Sequence, residues 1–244
     1  MAAITGRGPT DNPIRSSLRD PRSWLLVLTA VLTIVDGYLI FVVAPTDQVL
    51  GHIQRIFYIH VPISILSFLG FLVCAVAGVG YLIRRGEMWD RVAHAAAEVG
   101  VVFVTLALIT GVIWARPVWG VWWTWEPRLT TTLILWLIYV AYLMIRHYAP
   151  TPQQGRAWSA VVGIIGFVDV PIVYYSVQWW RSIHPVQVIG PEAADDALEP
   201  IMARILVFSL IAALALFTYL LLERVALRGA EDTVSAIRRQ GTCD

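Results

Sequence analysis

Residues Pro62–Ile83 read PISILSFLGFLVCAVAGVGYLI and are closed by Arg84-Arg85. The run carries no charge over 22 positions, and a helix needs about 20 apolar residues (range about 17–25) to cross the hydrocarbon core of a bilayer. An isolated strand would leave its backbone groups unpaired in lipid, so the run reads as a spanning helix. It is open to extension back to Ile56. Working outward, five similar runs stand at Trp24–Ala44, Val99–Ala115, Leu129–Ile145, Trp158–Trp180 and Ile201–Leu222. The alternation of an outer-membrane barrel is absent. Composition agrees: 58% hydrophobic, 14% charged and a mean hydropathy of +0.68 over 244 residues. A soluble domain averages about 45–50% apolar and about a quarter charged. The expected fold class is therefore all-α, a polytopic membrane protein with six transmembrane helices, and the composition speaks against a soluble enzyme. A net charge of +1 gives no support for a nucleic-acid partner.

The first run is too long for a signal-peptide core and follows a polar, Arg-bearing segment, so it reads as a retained span. All 18 basic residues are Arg. With the N-terminus in the cytoplasm, thirteen of them lie inside, and only Arg55, Arg116, Arg128, Arg181 and Arg204 lie outside. The positive-inside rule then places both termini in the cytoplasm. The expected organisation is a cytoplasmic segment over residues 1–23, a six-helix membrane domain with outer loops over 24–222, and a cytoplasmic tail over 223–244, read as a short surface helix with a frayed end. Cys74 and Cys243 are too few for a disulfide framework, and no C-x-x-C occurs. No Gly-x-x-x-x-Gly-Lys loop is present, so any ATP is used by another subunit.

The outer face then consists of Pro45–Val61, Arg116–Arg128 and Arg181–Pro200. Trp114, Trp119, Trp122, Trp123 and Trp125 are five of the chain's 11 tryptophans. Pro117 suits a first helical position, and from there Trp119, Trp122, Trp123 and Glu126 fall at i, i+3, i+4, i+7, one face of a short interfacial helix. An aromatic belt is the bland reading of such residues. Seven tryptophans on the outer side against three on the inner is too lopsided for it, and a one-sided shelf of indoles suits a large flat apolar ligand.

His60 precedes Val61-Pro62 at the outer end of the second span, and His184 precedes Pro185 just after the fifth. Two such imidazoles can serve as axial ligands of haem iron. Zinc, with His52 and Glu126 completing a set, stays open as an alternative, although zinc ordinarily takes three or four compact protein ligands. Arg55, Arg116, Arg128 and Arg181 flank these features, and guanidinium groups pair with carboxylates such as propionates.

The stretch Trp119–Thr130, WGVWWTWEPRLT, resembles the tryptophan-rich outer motif of the haem-handling proteins of cytochrome c maturation. The layout is similar to the branch called the cytochrome c maturation protein C, or haem exporter protein C, family. Six spans, Tyr58-Ile-His60-Val-Pro62 before the motif, and Val170-Pro-Ile-Val-Tyr-Tyr-Ser176 with Gln178-Trp-Trp-Arg-Ser-Ile-His184 after it carry the likeness, over roughly residues 24–222. Where the family motif commonly has Trp-Asp, this chain has Trp125-Glu126.

The resemblance implies a multi-pass protein of the bacterial inner membrane that holds haem b, non-covalently and transiently, at the periplasmic face. It implies delivery to a periplasmic haem chaperone, maturation protein E, beside the ABC transporter subunits (maturation proteins A and B) and the one-span maturation protein D. It implies His60 and His184 as axial ligands of the haem iron, Trp114, Trp119, Trp122, Trp123, Trp125 and Glu126 as the platform, and Arg55 and Arg128 as contacts for propionates or chaperone. A transfer protein without catalytic residues is expected, with the ATPase on a separate subunit. A haem lyase or haem-modifying membrane enzyme is the alternative. A transporter half is a third reading, resting on Asp36, Glu98 and Asp169 in or near the spans; these carboxylates are expected to pair with polar neighbours or a partner's helix.

Overall fold

A computed structural model describes residues 21–185 and 198–241. The segment before Pro21, the middle of the Arg181–Pro200 loop and the end of the tail, with Cys243, lie outside the described residues. Among the described residues there is no strand, and six helical segments are long and apolar enough to span a membrane. The chain is therefore a polytopic helical membrane protein. Helix α1 (Pro21–Tyr38) ends in a widened turn, Leu39–Val43. A tight turn at His52–Ile56 leads into α2 (Phe57–Arg84). Then follow α3 (Glu87–Trp119), α4 (Pro127–Tyr148), α5 (Pro152–Phe167), α6 (Asp169–Trp179) and α7 (Pro200–Gly241).

Helices α5 and α6 are one span interrupted at Val168. Pro171 supplies the cause: it has no N–H to offer the carbonyl of Phe167, four residues earlier, and the ladder breaks there. Pro62, by contrast, sits within the first two turns of α2, which continues through it.

Helices α2 and α3 form the closest pair, because small residues let their backbones meet. A Cβ on Gly70 would stand 3.1 Å from the Cα of Gly100 and 3.3 Å from the carbonyl oxygen of Ala96. In lipid no hydrophobic effect drives helices together, so such close approach is a main source of association. Around this pair α4 and α5 close the core: Phe71 and Tyr139 stack with ring centroids 3.7 Å apart, and the Tyr139 hydroxyl donates to the Gly163 carbonyl at 2.9 Å. Helix α1 packs chiefly against α7, which in turn leans on α2 and α3.

Two helices run well beyond their apolar stretches. Helix α3 begins at Glu87 instead of Val99, and α7 continues through Leu222 to Gly241, so the expected separate surface helix is a continuation of the last span. Ion pairs account for both extensions. Arg224 and Arg228 bond Glu98, the former at 2.6 and 2.8 Å, and Arg91 bonds Asp232 at 2.6 Å, so the end of α7 is strapped to the beginning of α3. Asp90, buried, is gripped by Arg146 and by Arg156 at 3.3 Å.

Candidate functional site

At the end of the bundle where α3 meets α4, a cavity of about 390 Å³ opens among α2, α3, α4, α6 and the chain after α6. That volume lies in the range of about 300–1,000 Å³ common for small-molecule sites. Its wall is mainly apolar. His60 on α2, Trp114 and Trp119 on α3, Trp123 in the following loop, Arg128 on α4 and His184 supply its ring and polar groups. Two imidazoles from distant parts of the chain thus face one space.

The tryptophan segment is not the helix that its spacing predicts. Helix α3 passes through Pro117 and stops at Trp119, where Gly120 takes a left-handed conformation (φ 79°) and donates its N–H to the Arg116 carbonyl at 3.0 Å. Residues 121–126 are irregular, and Pro127 starts α4. A positive φ suits glycine and ends a helix, which overrode the apparent i, i+3, i+4, i+7 face. The shelf therefore divides. Trp114 and Trp119 meet edge to face at 5.6 Å, and Trp119 approaches the His184 ring at 6.2 Å. Trp123 also lines the cavity, whereas Trp122 and Trp125 are 58% and 75% exposed and do not. Trp122 turns outward with the Arg116 guanidinium 6.0 Å from its ring.

Glu126 is buried and serves as the N-cap of α4, accepting from the Leu129 N–H at 2.6 Å. Its second oxygen accepts from the Ser182 hydroxyl, whose oxygen accepts the His184 N–H at 3.1 Å. Sequence reasoning cast Glu126 as part of the platform; its geometry is that of an anchor that draws the His184 loop onto the start of α4. A carboxylate at this position both caps the helix and complements its N-terminal dipole, and here the side chain of Glu126 reaches the Leu129 N–H. Arg128 donates to the carbonyls of Val173 and Tyr174, at 3.5 and 2.9 Å, and stands 3.4 Å from Nδ1 of His184. Burial, and next the Arg128 guanidinium, push the His184 imidazole down to about pKa 4. At neutral pH the ring is uncharged and keeps a lone pair to offer.

His60 bonds Thr110 Oγ1 through Nδ1 at 2.9 Å, and Gly111 of α3 lies against its Cε1 edge. Neither α3 residue was singled out from sequence, where a Thr-Gly pair inside an apolar run reads as filler. Arg55 lies outside the cavity wall, at the end of the turn before α2, with a buried Nε that has no hydrogen-bond partner among the described residues. The zinc alternative does not survive: no group of three metal-ligating side chains exists among the described residues, His52 is exposed and Glu126 is committed to its cap. The cavity wall instead combines indoles, two imidazoles and a guanidinium.

At the opposite end of the bundle a second cavity of similar volume, about 390 Å³, is polar. Asp90, Arg91, His94, Glu98, Arg146 and Arg228 line it, and Arg228 bridges His94 at 3.0 Å and Glu98. Glu98 is thereby paired, and Asp36 accepts from Ser209 of α7 at 2.6 Å. Asp169, at the start of α6, keeps one buried oxygen unpartnered among the described residues.

Fold and site together define a six-span helical membrane protein that turns two imidazoles and an arginine into one aromatic cavity at the end of its bundle. The chain belongs to the Heme exporter protein C family, whose model matches residues 14–239. It is 35% identical over 192 residues to Heme exporter protein C of Bradyrhizobium diazoefficiens, covering 77% of this chain and 73% of that one. It is 34% identical over 203 residues to that of Escherichia coli, 83% and 81% of the two chains. With the protein of the same name from Rhodobacter capsulatus it shares 31% over 221 residues, 87% and 89%.

Proposed function

We propose that this protein is a haem-transfer platform, not a catalyst: it receives haem b at the periplasmic face of the bacterial inner membrane and passes it to a periplasmic haem chaperone during cytochrome c maturation. The family assignment supports a transport role in that process. One observation carries the reading: His60, from the second span, and His184, from beyond the fifth, line the same aromatic cavity. Haem is the cargo here. Its ring packs among Trp114, Trp119 and Trp123, its iron meets the two imidazoles, and Arg128 is placed for a propionate. The platform narrows from the five tryptophans of the motif to the three in the wall; Trp122 and Trp125 face outward and suit the chaperone or the lipid surface. Arg55, off the cavity wall, is likewise left to the chaperone.

The arginine count supports a cavity on the periplasmic side, with both termini in the cytoplasm. The one-span maturation protein D and the ATP-driven maturation proteins A and B complete the assembly in this reading. The test is the absorption spectrum of the purified protein reconstituted with haem. The wild type takes one low-spin haem per chain, and His60→Ala or His184→Ala each lose the low-spin signal. Variants that keep the full wild-type signal overturn the axial assignment, and two haems per chain favour a lyase.

A further inference from the structure

The two imidazoles that line the aromatic cavity are held in different ways. The Thr110 hydroxyl has one proton. Its oxygen lies 2.8 Å from the Leu106 carbonyl and 3.2 Å from that of Ala107, the usual back-bonding of a helical threonine, and this geometry uses the proton. What Thr110 offers His60 at 2.9 Å is then a lone pair, so Nδ1 of His60 is the donor and carries the ring's proton. A neutral imidazole protonated at Nδ1 leaves Nε2 bare.

The ring is also seated on its other side. A Cβ at Gly111 would stand 3.2 Å from Cε1 of His60, closer than an unstrained contact, so glycine there lets the ring lie against α3, where the Ala107 carbonyl also meets it, at the edge of the cavity it lines. His184 has no such arrangement. Its Nδ1 lies 3.0 Å from the Pro185 carbonyl, which asks for a proton on Nδ1, and 3.4 Å from Nη1 of Arg128, which asks for a lone pair there.

We infer that Thr110 is a positioning residue: by accepting from Nδ1 it holds His60 in the one tautomer whose Nε2 can bind a metal, with Gly111 giving the ring its place, while His184 stays free to change tautomer. His60 is the preset ligand and His184 the adaptable one. The inference rests on the haem-binding reading above only for its consequence; the hydrogen bond itself does not depend on it.

The experiment therefore has two arms. In the first, full-length protein labelled with ¹⁵N-histidine is studied without haem, and the His60 ring is assigned by loss of its signals in His60→Gln. Wild type and Thr110→Ser show a ring protonated at Nδ1 with an unprotonated Nε2, and Thr110→Val shows a mixture of tautomers. In the second arm haem is titrated into the same proteins. Loss of an outer-shell partner of a metal-binding imidazole typically costs ~10–100-fold in affinity, so Thr110→Val weakens binding by that order and Thr110→Ser restores it. A wild-type His60 protonated at Nε2 overturns the inference even if haem binds, and so does a Thr110→Val ring identical to wild type. A protein that shows the Nδ1 tautomer and takes no haem overturns the haem reading and leaves the role of Thr110 in fixing the ring intact.

Discussion

Among the described residues, a cavity at one end of the bundle and another at the opposite end have nearly equal volume and opposite chemistry. In the polar one the acids are answered from within the chain: Asp90 by Arg146 and Arg156, Glu98 by Arg224 and Arg228, Asp232 by Arg91. The aromatic one is walled by two imidazoles, an Arg128 guanidinium that meets the carbonyls of Val173 and Tyr174 and a ring nitrogen of His184, and a Trp123 indole N–H without a partner among the described residues. The difference teaches which volume is built for a guest. Charges that satisfy one another hold helices in place: at the polar end only the Nε of Arg228 is buried without a partner among the described lining residues, and its guanidinium is already bound to Glu98 and Glu231, whereas the aromatic wall offers ring nitrogens and an indole N–H with no opposing charge.

The strongest way to break this contrast is Asp90→Asn. Asp90 is 4% exposed and faces two arginines, so neutralising it strands their charge. Removing one partner of a buried ion pair costs about 3–5 kcal/mol. Thermal unfolding in detergent is expected to show a loss of that order, while the low-spin haem spectrum at low temperature matches wild type. A variant of unchanged stability that loses haem would place the functional centre at the polar end.

The next test sharpens the division of the tryptophans. Trp119→Phe removes an indole that meets both Trp114 and His184, and aromatic pairs contribute about 0.5–1.5 kcal/mol beyond area. Haem affinity is expected to fall about two- to twelve-fold on that scale. Trp125→Phe, 75% exposed and off the cavity wall, is expected to leave affinity of the isolated protein unchanged. Equal losses in the two variants would restore the undivided shelf.

The six spans were legible because each is a continuous apolar run, and lipid allows such a run one structure. His60, His184 and Arg128 were legible through residue type and place at span ends. The shape of the tryptophan segment was not. A 3.6-residue period cannot show that Gly120 takes a positive φ, nor that Glu126 serves as the cap of α4. The reach of α3 and α7 beyond the apolar runs was hidden for a related reason: partners such as Glu98 and Arg224 are 126 positions apart, and only tertiary packing brings them together. Thr110 was unreadable because its meaning lies in one hydrogen bond to a ring 50 residues away.

The smallest effect concerns α1. Within the described residues this helix packs chiefly against α7, and 11% of its membrane-spanning window is buried, the lowest share of the six. Asp36 ties it to α7 by accepting from Ser209. Interhelical hydrogen bonds within membranes average about 0.6 kcal/mol and reach about 1.7, so Ser209→Ala is expected to lower unfolding stability by about 0.6 kcal/mol and to leave haem binding alone. Asp36→Leu distinguishes a tie from a burden. If the carboxylate is there only for Ser209, its replacement by leucine costs no more than Ser209→Ala, because the bond is worth little and the apolar side chain suits lipid. If Asp36→Leu leaves the isolated chain as stable as wild type yet weakens its assembly with the other maturation subunits, measured by co-purification, then the lightly buried face of α1 is where another membrane helix docks. The polar atom of Asp36 that Ser209 does not use is then the contact that helix takes.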